Sequence, residues 1–138
     1  MERIKDKILE IEEFLNELVE ILPSDFNSYD NDFKGKAACE RYFEKIVEAA
    51  TDLAYLMAKE KKLGKTETDT DVFDLLSKHK IITLILAEKL KDAKGMRNIL
   101  AHEYGKVDDH LVFAAVTQEI QKDIEEYINQ IDKYLLLK

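Results

Sequence analysis

Apolar residues near the start of the chain recur at alternating steps of four and three: Ile4, Ile8, Ile11, Leu15, Leu18 and Leu22, with charged residues between them. That rhythm winds one narrow stripe along a helix and predicts packing against a neighbour. Pro23 ends the run, because a proline ring clashes with the preceding turn and supplies no N–H. Residues 23–36, PSDFNSYDNDFKGK, are rich in Asp, Asn and Ser, whose side chains compete for backbone hydrogen bonds, so a loop is expected, with room for one short helical turn. Its Phe26, Tyr29 and Phe33 predict that the loop folds back onto the rest. A second helix is predicted over Ala37–Leu63, with Phe43, Ile46, Val47, Ala50, Leu53, Ala54 and Met57 on its buried face. Arg41, Lys45, Glu48, Asp52 and Tyr55 lie along another flank, and Gly64 supplies the stop.

The turn KTETDT leads into VFDLLSKH, a short helix with Thr or Asp as its N-cap. A long helix is predicted from Ile81 to Tyr104. Its stripe is Ile82, Leu86, Ala93 and Leu100, flanked by Ile85, Leu90, Met96 and Ile99, and Gly105 stops it. Gly95 inside it predicts a kink or the close approach of another backbone. The last helix begins near Asp108 or Asp109 and runs along Ile120, Ile124, Tyr127, Ile128, Ile131, Tyr134 and Leu135. The sum is an all-α fold, an antiparallel bundle of four long helices with a short fifth, and residues 1–138 read as a single helical domain.

Composition agrees. With 4 Gly and 1 Pro in 138 residues there is little of the punctuation that a strand-and-turn fold needs. The chain is 46% hydrophobic and 36% charged, too apolar to be disordered. The net charge of −8 argues against nucleic-acid binding through a broad basic surface, so any RNA contact must be a local cationic pocket. Cys39 is the only cysteine, so neither an internal disulfide nor a Cys-based zinc site is available. His79 and His110 have no partners at metal-ligand spacing, and no metal or cofactor is expected. The charged N-terminus, MERIKDKILEIEEF, lacks a secretory apolar core, and no apolar run reaches the ~20 residues that cross a bilayer, so a cytoplasmic protein with no membrane contact is expected.

The chemistry gathers in MRNILAHEYG, residues 96–105. On a helix Arg97 and Tyr104 fall on one line and Asn98 and His102 on an adjacent one. Arg97 and His102 stand ~140° apart, a gap a long arginine can bridge along the surface. Arginine binds phosphate with two parallel hydrogen bonds and stays charged. Histidine takes and gives protons near neutrality, and the electronegative end of a helix favours its charged form. Such a set suits RNA cleavage by the RNA's own 2′-hydroxyl, with His102 handling the proton and Arg97 holding the non-bridging oxygens. On spacing alone, an arginine and a histidine at a helix end are more ordinarily a solvated pair, Asn98 a backbone partner and Tyr104 a core-edge aromatic.

Arg97-x4-His102-x-Tyr104, written RNILAHEY, resembles the RX4HXY motif of the HEPN superfamily in its HepT-like toxin branch. CERYFEKIVEAATDLAYLMA, residues 39–58, resembles that branch's second helix, and VFDLL, GMRNILAHEYGKVDD and the final helix extend the similarity over nearly the whole chain. The resemblance implies an HEPN-like helical homodimer in which two motifs face each other across a cleft. It implies a metal-independent endoribonuclease with RNA as substrate, Arg97 and His102 as the catalytic pair and Asn98 in support. It also implies a partner, an MntA-like minimal nucleotidyltransferase antitoxin that silences the toxin by transferring AMP to Tyr104. Phosphodiester-linked AMP would set bulk and negative charge beside Arg97. Arg41 and Asp52, about three turns apart on one face, are expected in a surface salt-bridge network with Lys45 and Glu48. The alternative is a non-catalytic module that uses the same groove to bind a nucleotide or a nucleotidyltransferase.

Overall fold

The structure, a computed structural model, describes residues 1–102 and 107–136. Its elements are helices: α1 (Glu2–Ile21), α2 (Phe26–Asn31), α3 (Phe33–Glu60), α4 (Asp69–Lys78), α5 (Leu84–His102), α6 (Asp109–Ala114), a π turn (Ala115–Glu119) and α7 (Ile120–Leu136). The α6–π–α7 run is one continuous rod, since Ala114, Ala115 and Ile120 all keep right-handed helical backbone. No strand occurs among the described residues.

Side-chain caps set the starts. Asp25 accepts from the Ser28 N–H and opens α2, the short turn expected in the 23–36 loop. Asp32 accepts from the Gly35 N–H and starts α3 four residues before the predicted Ala37. Thr68 caps α4 through the Asp71 N–H, Thr83 accepts from the Leu86 N–H at the head of α5, and Asp108 accepts from the His110 and Leu111 N–H groups at the head of α6. Leu22 before Pro23 is extended, as the proline ring requires. Beyond α3, Gly64 sits at φ +100°, a backbone that side-chain-bearing residues rarely adopt.

Cross-links show the directions. Met1 pairs with Glu60, Lys7 with Asp52, and the Lys45 ammonium lies over the Phe14 ring, so α1 and α3 run antiparallel. Thr83 with Gln130 and Lys89 with Asp123 fix α5 antiparallel to α7, and Asp74 with Lys91 and Asp69 with Lys94 fix α4 antiparallel to α5. The α1, α3 and α7 stripes are buried or half-buried as predicted and join residues of the other helices in one hydrophobic cluster. The Tyr127 hydroxyl, at the centre, donates to the Ala50 carbonyl at 2.9 Å.

Several expectations need correction. Tyr29 is buried and Phe26 stacks on His110 with ring centroids 3.8 Å apart, but Phe33 stands 77% exposed. Ile85 and Ile99 are 71% and 39% exposed, so Leu100 without Ile99 anchors the end of α5. A Cβ on Gly95 would meet nothing within 4 Å, so no backbone approaches it. The network around Arg41 does not form: Asp52 binds Lys7, Lys45 covers Phe14 and Tyr42, Glu48 binds Arg97, and Arg41 has no ion pair among the described residues. Ile81 and Ile82 are buried ahead of α5, whose predicted end at Tyr104 and stop at Gly105 lie outside the described residues.

Candidate active site at the end of α5

Leu86, Leu90, Lys94 and Arg97 follow one another at core spacing along α5. The first two enter the hydrophobic cluster, and the next two bring cations to the same inner side, where each needs a carboxylate. α3 supplies one. The Arg97 Nη2 donates to Glu48 Oε1, while its Nη1 donates to the Asn98 side-chain oxygen at 3.3 Å. The first residue of α4 supplies the other: Lys94, only 7% exposed, meets Asp69 at 3.0 Å. Tyr55, two turns beyond Glu48 on the same face of α3, donates its hydroxyl to the second Asp69 oxygen at 2.7 Å. α3, α4 and α5 are thereby locked together behind the motif.

The Tyr55 and Lys94 hydrogen bonds hold the Asp69 carboxyl below the ordinary aspartate range, and the Arg97 charge adds to the effect. The Arg97 guanidinium is half-buried, held from one side by Glu48 and from the other by Asn98. Its Nε–H is buried with no acceptor among the described residues. The Arg97 side chain keeps 20% of its surface exposed, which leaves part of a fixed planar cation open to an oxygen.

His102 is exposed in the last turn of α5. No hydrogen bond joins it to Arg97. Arg97 and Asn98 are brought together, His102 stands a turn further on, and Tyr104 lies outside the described residues. Glu48, Tyr55, Asp69 and Lys94 are absent from the sequence-based site. A signal for one of them is present: a lysine at a stripe position, four residues after Leu90, implies a buried carboxylate partner. Glu48 and Asp69 themselves carry no such mark.

Known proteins share this arrangement of helices. The family described as HepT-like, ribonuclease HepT-like, matches residues 6–131. A tRNA nuclease HepT from Aphanizomenon flos-aquae is 30% identical over 133 residues, covering 96% of this chain and 90% of its own. An mRNA nuclease HepT from Shewanella oneidensis is 27% identical over 128 residues, 93% of this chain and 95% of its own. Among solved structures, a tri-AMPylated Shewanella oneidensis HEPN toxin in complex with MNT antitoxin superposes with a TM-score of 0.87 at 26% identity, over 94% of this chain and 96% of that one. The bundle is thus that of an HEPN toxin, and the chain belongs to the HepT-like ribonuclease family.

Proposed function

We propose that this chain, a ribonuclease toxin of a toxin–antitoxin pair, cuts RNA without a metal ion, through Arg97 and His102. In this reading the RNA's 2′-oxygen attacks the adjacent phosphorus as its proton leaves, with His102 handling the proton. The O2′–P bond forms, the P–O5′ bond breaks, the proton taken from the 2′-hydroxyl is returned to O5′, and the products are a 2′,3′-cyclic phosphate and a 5′-hydroxyl. Arg97 holds the non-bridging oxygens, where charge accumulates in the transition state. The observation that carries the reading is the Arg97 guanidinium, fixed by Glu48 and Asn98 and still partly open to solvent. Asn98 supports it as an orienting acceptor.

The working unit in this reading is a homodimer of single-domain chains, residues 1–138. Exposed Ile85 and Ile99, with the open Gly95 between them, give α5 an outer face that a second copy can cover. His102, about 60° around the helix from Ile99, lies beside that face, so pairing α5 with its symmetry mate would set two His102 side chains near one another, while each Arg97 stays on the inner side of its own helix with Glu48. No helix among the described residues is long and apolar enough to cross a membrane, which is compatible with work in the cytoplasm.

The antitoxin in this reading is an MntA-like minimal nucleotidyltransferase, and Tyr104 is where it adds AMP. The new phosphodiester charge would compete with RNA for Arg97. Coexpression with such a nucleotidyltransferase, followed by intact-mass measurement and peptide mapping, tests this. AMP additions that include Tyr104, with loss of RNA cleavage, are expected; additions confined to other residues would refute the assignment.

A further inference from the structure

Met96 precedes Arg97 and so points about 100° away from it around α5. It lines a groove of about 420 Å³ between α5 and the π turn that joins α6 to α7. A volume of that order suits a small polar ligand with one flat face. The floor is apolar: Phe43 from α3 with Ala93 and Met96 from α5. The walls are rich in acceptors, with Asp92 on α5, Gln118 and Glu119 on the π turn, and Asp123 on α7. Lys89 and Lys122 stand among them, Lys89 at 3.9 Å from Asp123.

The π turn bears on this site. Wider turns of this kind inside α-helices are frequent at functional sites. Here one delivers Gln118 and Glu119 to the groove, while the Thr117 hydroxyl donates to the Phe113 carbonyl at 2.6 Å. Asp123 is largely enclosed. Burial raises its pKa although Lys89 and Lys122 pull the other way.

We propose that this groove is a nucleotide subsite that takes the base of an RNA residue near the cut and favours guanine. A carboxylate accepts hydrogen bonds and donates none, so a wall of carboxylates selects a base edge that carries donors. Guanine presents adjacent imino and amino N–H groups. Adenine and cytosine present an amino group alone, and uracil presents one N–H between two carbonyl oxygens. Phe43, Ala93 and Met96 supply the apolar surface on which the ring lies, and Lys89 and Lys122 the charge for its phosphate. The proposal deepens the ribonuclease reading and rests on it for the identity of the substrate.

The chain's three methionines make the test direct: Met1 is exposed, Met57 is fully buried, and Met96 lines the groove. The protein, labelled with ¹³C at the methionine methyls, is titrated by NMR with GMP, AMP, CMP and UMP in turn. GMP is expected to move the Met96 signal saturably with Met57 unmoved, UMP to move it least, and Asp123→Asn to weaken GMP by about tenfold or more. An unmoved Met96, equal responses to GMP and UMP, or unchanged GMP affinity in Asp123→Asn would overturn the proposal. Should Asp123→Asn lose the folded Met57 signal, Asp92→Asn is measured against the same expectation. None of these nucleotides has a bond to be cut, so failure here leaves the ribonuclease reading standing. Loss of that reading to a cleavage assay would leave the titration's outcome unchanged.

Discussion

The Arg97 guanidinium on α5 donates to the carboxylate of Glu48 on α3, forty-nine residues earlier in the chain. This pair ties the motif to the body of the bundle. Both side chains are partly exposed, so the pair's value to stability is modest and its value to position is larger. Glu48→Gln is expected to lower kcat by roughly tenfold, about 1.4 kcal/mol of transition-state stabilisation, while changing KM little. Arg97→Lys is expected to lose more, because an ammonium cannot span Glu48 and a phosphate as a planar fork does. Steady-state cleavage of a labelled RNA measures both, and a Glu48→Gln enzyme with unchanged kcat would dissociate the pair from catalysis.

Asp69 and Lys94 are unequal partners. Lys94 is buried and Asp69 is 48% exposed at its side chain. Removing Asp69 strands a buried ammonium, whereas removing Lys94 leaves a carboxylate that water can solvate. Asp69→Ala is therefore expected to cost about 1–2 kcal/mol of stability and Lys94→Met less than that. Urea titration of the two variants measures the difference, and equal losses would contradict it.

The same pair sets a pH dependence. The Asp69 pKa lies lower in the folded chain than the ordinary value near 3.8. Its contribution is thus full above that value and is lost as pH falls through the lowered folded value. In thermal melts taken at successively lower pH, wild type and Asp69→Asn are expected to run parallel above the ordinary carboxyl value near 3.8, and wild type to fall more steeply below it. Parallel acid limbs would rule the contact out as a source of stability.

Gly95 has open space where a Cβ would stand. An alanine there adds no clash and removes the unfolded chain's extra freedom, so Gly95→Ala is expected to raise stability by about 0.5–1 kcal/mol. Differential scanning calorimetry below the dimerisation concentration reads this, and a lowered Tm would show that the helix does depend on glycine here. On the same face, Ile85→Glu with Ile99→Glu is expected to give monomers in light scattering and to abolish cleavage. A dimer that survives both substitutions would place the interface elsewhere.

The bundle was readable from the sequence because helical stripes are local: Ile4 to Leu18 in α1 and Ile120 to Ile131 in α7 enter the core as their spacing says. The starts of α3 and α6 turned on single Asp caps, and Asp32 moved one of them by four residues. Ile85 and Ile99 read as core because periodicity cannot tell a face that meets its own bundle from one left open. The motif itself, RNILAHEY, needed no structure to be noticed. Its supports did, since Glu48, Tyr55 and Asp69 come from two other helices and only folding brings them to α5. The π turn has no marker in AVTQE, and the groove beside it was accordingly invisible.

In the proposed function Arg97 and His102 cut RNA with the RNA's own 2′-hydroxyl as nucleophile and without metal. End-group analysis of RNA cleaved in EDTA by wild type, Arg97→Ala and His102→Ala tests it most directly. Wild type alone is expected to give 2′,3′-cyclic phosphate and 5′-hydroxyl ends, with no cleavage by either variant or at a 2′-deoxy position. Cleavage by wild type that stops in EDTA, or that His102→Ala reproduces in full, would contradict it.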